Sequence, residues 1–257
     1  MDANAKKTII MGVKAAGKRL VDLFNEKKGP VSESKASRYA FDYKIPADKE
    51  TEKIILDSIK RTGLKCEIVS EESDIMTNED AEYRIYIDPL DGTVNFSRGI
   101  PIFCIGMGIF YKNVPYLGVV YDPTRDEIFI AEKGKGISVN GKIIRPQVRE
   151  DKILVNLEWY GAESYERTVS KLKKANIRAV TAGSGVLALC YGSVGRGDGA
   201  ILVENSPWDI APGLVMAREA GHVIKEIDGS EVNLNKRRIS IIAAPDKIFE
   251  KIEKALR

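Results

Sequence analysis

The chain has 257 residues, 44% hydrophobic and 30% charged, enough apolar material for a large buried core in one big domain or two lobes. Its 40 basic and 37 acidic residues nearly cancel to +3, which argues against a protein built around a strong field for nucleic acid or an anionic membrane surface. Cys66, Cys104 and Cys190 are odd in number and form no CxxC pattern, and His222 is the one histidine, so the usual Cys/His zinc site is excluded and any bound metal needs carboxylate ligands.

Residues Thr8 to Lys27 carry Ile9, Val13, Ala16, Leu20 and Leu23 at the spacing of one helix face, which predicts a core-facing helix. Its start, MDANAKKTIIMGVKAAGKRLVDLF, has a charge every few residues, and no later apolar run approaches the roughly 20 residues that span a bilayer. A cytoplasmic protein without membrane partners is expected. After the polar link KKGPVSESKASR comes a second helical pattern, Asp48 to Arg61, with Gly63 as its stop. EIVSEE and YRIYID follow as strands ending in acids. From Ile102 to Ile144 the segments IFCIGMGIFYK, PYLGVVYD, EIFIAEKG and GISVNGK are separated by short turns, the rhythm of an antiparallel meander. Beyond about Gln147 strand and helix alternate: ILVNLEW, a Glu163 to Ala175 helix, IRAVTA, VLALCYG, GAILVE, an Asp209 to Ala220 helix, VIKEID, ISIIAAP and a last helix, KIFEKIEKAL. The expected organisation is an α+β lobe over residues 1–147 and a smaller α/β lobe over residues 148–257. Abundant Lys and Glu suit a heat-adapted source.

The stretch from Asp88 to Thr93 reads DPLDGT. If the strand stops at Asp88 and the chain curls through Pro89 and Leu90, Asp88 and Asp91 converge and the Leu90 carbonyl turns the same way. Two carboxylates and a main-chain oxygen are the hard ligands that Mg²⁺ or Mn²⁺ prefers. Gly92 leaves room for a phosphate to approach backbone N–H groups, and Thr93 offers a hydroxyl for a water. An ordinary turn would use Asp91 and Gly92 in the same way. Other acids stand ready to join. Pairing of neighbouring strands would bring Glu71 beside Asp88, while Asp209 and Asp48 each open a helix, where capping is a sufficient local explanation.

Ser70-Glu71-Glu72, DPLDGT with Asn95 and Phe96, and Trp208-Asp209 with Pro212 and Gly213 ahead of Glu219-Ala220-Gly221 resemble the inositol monophosphatase superfamily, most closely its archaeal-type inositol monophosphatase/fructose 1,6-bisphosphatases. The resemblance implies a layered αβαβα sandwich and Mg²⁺-dependent hydrolysis of phosphate monoesters in a homodimer. It implies one metal on Glu71, Asp88 and the Leu90 carbonyl, a second shared by Asp88 with Asp91 and Asp209, and a third, weaker ion near Glu71. A water oriented by Thr93 and Asp48, with Glu71 in the catalytic set, attacks phosphorus in line without a phosphoenzyme. Asp91, Gly92, Thr93, Gly183, Ser184 and Glu204 are the implied substrate contacts. Departures are visible: Ile45 replaces a family Thr three residues before Asp48, His222 a second Gly, and Leu202 a sugar-contacting Glu that nearby Glu204 would replace. A bisphosphate needs a second basic contact, for which Arg167, Lys171, Lys174 and Arg178 are candidates.

Three other readings remain. GSGVLA over 183–188 satisfies G-x-G-x-x-A after IRAVTA, with Glu204 about twenty residues on, the pattern of a nicotinamide dinucleotide site. A 3′-phosphoadenosine or NADP phosphatase of the same superfamily is a nearer variant, and a non-catalytic cation-binding scaffold is the third class.

Overall fold

The computed structural model describes residues 1–26, 32–33, 43–73, 76, 78, 80–160 and 162–257. Apart from Ser32 and Glu33, the link read over 27–38 lies outside them. Helix α1 (Ala3–Asn25) starts at an Asp2 cap and turns Ile9, Val13, Ala16, Leu20 and Leu23 inward, as its spacing predicts. A two-stranded ribbon, β1 (Ser32–Glu33) and β2 (Tyr43–Lys44), precedes α2 (Pro46–Lys60), which packs on α1.

Both helices cover one face of a seven-stranded sheet ordered β3-β4-β5-β6-β7-β8-β9. Its strands are β3 (Cys66–Ser70), β4 (Tyr83–Asp91), β5 (Cys104–Tyr111), β6 (Val114–Asp122), β7 (Glu127–Glu132), β8 (Gly136–Val139) and β9 (Lys142–Ile144), with the short helix α3 (Thr93–Ser97) after β4. The predicted meander is β5 to β9; the first pair, β3 and β4, is parallel, so the sheet is mixed.

The second sheet runs β11 (Arg178–Val180), β10 (Leu154–Trp159), β12 (Gly199–Asn205), β14 (Ile239–Ala244), β13 (Val223–Glu226). Its β10 pairs in parallel with β11 and β12, whereas β14 is antiparallel to both of its neighbours. Helices α5 (Gly185–Ser193) and α6 (Pro207–Glu219) lie between the two sheets, and α4 (Ala162–Lys174) and α7 (Asp246–Leu256) cover the outer face of the second. The order of layers is αβαβα, and each interface has its own buried apolar cluster.

What sets the spacing of the middle layer is a glycine stripe on β5 and β6. A Cβ on Gly108 would stand 2.6 Å from the carbonyl carbon of Ala211, and one on Gly118 would stand 2.6 Å from the Pro212 oxygen. The backbone of α6 therefore rests directly on the sheet, closer than any side chain allows. Gly108→Val is expected to destabilise the protein by about 1–3 kcal/mol through overpacking. Thermal unfolding checks this: a melting temperature equal to the parent's contradicts the close approach.

Candidate active site

On a regular strand, residues three apart face opposite sides of the sheet, so Asp88 and Asp91 should not meet. Instead of stopping at Asp88, as the sequence reading expected, β4 continues through DPLD to Asp91 with a break in register. Asp88 pairs with Gly106 and Asp91 with Cys104, so three steps on β4 match two on β5. The one-residue bulge restores parity and puts both acids on the face that carries α5 and α6. Leu90, between them, points the other way into the α1/α2 core. Gly92 then takes φ +94°, where a Cβ would also sit 2.8 Å from the Ile102 oxygen, and the chain turns into α3. Thr93 Oγ1 donates to the Leu90 carbonyl at 2.9 Å.

Asp209 and Asp48 arrive by one device used twice. Neither is the helix cap expected from sequence. Each follows a Pro at the first helical position, Pro207 and Pro46, and stands third in the helix. There Asp209 Oδ2 accepts the Ser206 N–H at 2.7 Å, and Asp48 Oδ2 accepts the Ile45 N–H at 2.7 Å. Both helices consequently begin before their acids, and Pro212 falls inside α6 rather than in its first turn. Ile45 supplies no side-chain cap to α2, the hydrogen bond that its departure from the family pattern put in question.

Asp88, Asp91 and Asp209 each bring a carboxylate oxygen within 4.8 Å of the others', the one such group of metal-ligating side chains among the described residues. Asp88 is 1% exposed, Asp48 3% and Asp209 7%. Parallel pairing of Ser70 with Ile87 places Glu71 beside Asp88, as expected, and the Glu71 N–H donates to the Ile87 oxygen. Burial, followed by the charges of Asp209, Asp48, Glu72 and Asp91, holds the Glu71 carboxyl well above its usual range; burial and then Glu71, Asp91, Asp209 and Asp48 do the same to Asp88. Asp209 is pushed up to about 7, by burial first and Asp91 next. Asp91 is raised less, because its burial is opposed by Ser184 and by the backbone N–H groups at the start of α5. Its Oδ2 accepts the Ser184 hydroxyl and the Val186 N–H, the latter at 2.7 Å. Several buried carboxylates this close are a site that a divalent cation completes: the donors are hard oxygens, and their mutual repulsion is what such an ion removes.

The other expected contacts divide. Gly183 and Ser184 lead into α5 beside Asp91. Glu204 sits at the irregular end of β12 in the left-handed region, φ +57°, two residues before the Ser206 cap of α6. Leu202 is fully buried in the apolar core. Of the basic candidates, Arg167, Lys171 and Lys174 ride on α4 in the outer layer, with Lys171 bound to the Leu256 oxygen. Arg178 starts β11, at the strand end opposite the Gly183 turn.

The dinucleotide reading gains no support, since the Val186 N–H at the start of α5 is taken by Asp91 and the Leu187 N–H by Ser184, and the sheet has no doubly wound parallel order. His222 contacts none of these groups; burial lowers it to about 4. Sequence reasoning missed Glu158, buried on β10 and bonded to the Ala182 and Gly183 N–H groups. It missed Arg238 as well, which stacks 4.2 Å over Tyr160 and donates to Ser206 Oγ. A lone Glu in a strand and a lone Arg in a loop carry no periodic signal.

The family model of the inositol monophosphatases matches residues 6–257, and the chain belongs to this family of metal-dependent phosphate monoester hydrolases. It is 33% identical over 201 residues to a fructose-1,6-bisphosphatase of Pyrococcus furiosus, covering 76% of each chain. It is 34% identical over 195 residues to the Nus factor SuhB of Escherichia coli, covering 73% of each. A solved inositol monophosphatase-fructose 1,6 bisphosphatase superposes with a TM-score of 0.83 at 29% identity, over 100% of both chains. No helix among the described residues is long and apolar enough to cross a membrane.

Carboxyls with raised folded-state values keep protons that the unfolded chain releases, so their contribution to stability is present at low pH and lost as pH rises. For Asp209 the window runs from its ordinary 3.8 to about 7. In chelator, Asp209→Asn should therefore gain in melting temperature over the parent as pH rises from about 5 to about 8. Thermal melts across that range check it; a constant difference contradicts the crowded-carboxylate assignment.

Proposed function

We propose that this chain hydrolyses sugar and inositol phosphate monoesters, inositol 1-phosphate and fructose 1,6-bisphosphate foremost, with Mg²⁺ held by Asp88, Asp91, Asp209, Glu71 and the Leu90 carbonyl. The observation that carries this reading is the convergence of three carboxylates within 4.8 Å on one sheet face. Bound there, the cation offsets charge on the phosphate and lowers the pKa of a neighbouring water. The chain's own residues do the rest. Asp48, held in place by the Ile45 N–H, and Thr93, held by the Leu90 oxygen, orient the attacking water in line with the P–O bond that breaks. The Gly92 and Thr93 amides receive the phosphate oxygens. Gly183, Ser184 and Glu204 face the alcohol portion. Water attacks directly, and the product alcohol leaves with a proton. Two or three ions per site and a homodimer complete this reading. The two relatives bear different names, one a phosphatase and one a Nus factor, and the acid cluster favours the hydrolytic activity for this chain.

Phosphate release from a panel holding inositol 1-phosphate, fructose 1,6-bisphosphate, a 3′-phosphorylated adenosine nucleotide and NADP⁺ tests it. Turnover of the first two with Mg²⁺ and none with chelator is expected. Preference for the nucleotides would move the assignment to the nucleotide phosphatases of the superfamily. Asp91→Asn and Asp209→Asn should each lower kcat by more than about a hundredfold with the fold retained; full activity in either makes that acid structural. Thr93→Ala should lower kcat by about a hundredfold with a smaller change in KM. The reverse split contradicts its role with the water.

A further inference from the structure

Glu158 takes no part in the chemistry above, yet a buried carboxylate is costly unless it is bonded, and this one is 7% exposed. Its Oε1 accepts the Ala182 N–H at 2.5 Å and the Gly183 N–H at 2.8 Å. Asn95 of α3 grips the same turn from the side of the first sheet: its Nδ2 donates to the Ala182 oxygen and to the Ile102 oxygen, each at 2.8 Å. The turn fits tightly between them. Gly183 has φ +72°, and a Cβ there would lie 2.8 Å from Asn95 Nδ2. The next residue, Ser184, caps α5, accepting the Leu187 N–H at 3.1 Å, and its hydroxyl with the Val186 N–H holds Asp91 Oδ2. Of the groups that orient Asp91, Ser184 thus directly follows the turn that Glu158 holds, and Val186 lies two residues further on.

We propose that Glu158 is a positioning residue for the hydrolysis: by fixing the Ala182–Gly183 turn, it sets the start of α5 where Ser184 and Val186 hold Asp91 in register with Asp88 and Asp209. This rests on Asp91 being a cation ligand. It goes further by assigning the geometry of that ligand to a residue of the second sheet, and by making the Gly183–Ser184 segment a support for the cation site as well as a substrate contact. Because the Ala182 and Gly183 bonds both run to Oε1, an amide is predicted to substitute, since the Gln carbonyl accepts the same two N–H groups.

The test uses full-length Glu158→Ala and Glu158→Gln, with Mn²⁺ binding measured by titration calorimetry and with kcat and KM on inositol 1-phosphate. Glu158→Ala should weaken Mn²⁺ binding about 10–100-fold and lower kcat comparably, with KM within about threefold. Glu158→Gln should restore most of both. In a Ser184→Ala background the Glu158→Ala loss should shrink, because both residues act on Asp91 by one route. Losses that simply add, a Gln variant as impaired as Ala, or a lower melting temperature with unchanged Mn²⁺ affinity would each overturn the proposal. Where Glu158→Ala does not fold, Glu158→Asp, one methylene shorter, is read in the same way. Asp91→Asn separates the two levels: if it keeps full Mn²⁺ affinity, the ligand assignment has failed; if it loses affinity while Glu158→Ala keeps it, only the positioning role has failed.

Discussion

Carboxylates brought together without a counter-charge repel, and the architecture of this protein is arranged around holding them together regardless. Four acids of the cluster each have one oxygen tied to a backbone N–H: Asp88 to Leu90, Asp91 to Val186, Asp209 to Ser206, Asp48 to Ile45. Three of those N–H groups lie at the starts of helices α5, α6 and α2, so the partial positive ends of three helices meet at the acids. These bonds offset part of the repulsion without cancelling it. Asp209 remains at about 7, and Asp88 and Glu71 stay well above their usual range. The residual repulsion is stored for a divalent cation to relieve, which makes the cation site and the stability of the middle layer one problem.

That middle layer transmits position as well as charge. Helix α6 carries Asp209 and lies on the glycines of β5 and β6, while α5, which holds Asp91, is fixed at its start by the turn between Glu158 and Asn95. The bulge in β4 supplies the third coordinate by turning Asp88 and Asp91 to one face. A shift in any of these three would move one of the three carboxylates, whose oxygens now lie within 4.8 Å of one another.

Much of this was legible in the sequence because the signals are local. DPLDGT announced two acids at a strand end, the alternating segments after Ile102 announced the meander, and the expected pairing of EIVSEE with YRIYID put Glu71 beside Asp88, although the structure makes that pair parallel. What stayed hidden depends on parity, side and depth. The bulge adds one residue to a ladder whose partner strand no local pattern specifies. The Pro-x-Asp helix openings of Asp48 and Asp209 look like caps until the Pro is seen to occupy the first helical turn. Lys171 and its neighbours were plausible phosphate contacts because an amphipathic period gives a helix its buried face and not the side of the sheet on which it lies. GSGVLA kept its formal pattern while its Gly183, Val186 and Leu187 N–H groups went to Glu158, Asp91 and Ser184.

The most direct test is diffraction from crystals grown with Mn²⁺, using the anomalous signal to locate the ion. The account predicts density between Asp88, Asp91 and Asp209, with their oxygens about 2–2.3 Å from the ion. An active protein whose Mn²⁺ is found elsewhere, with those three carboxylates uncoordinated, would contradict it.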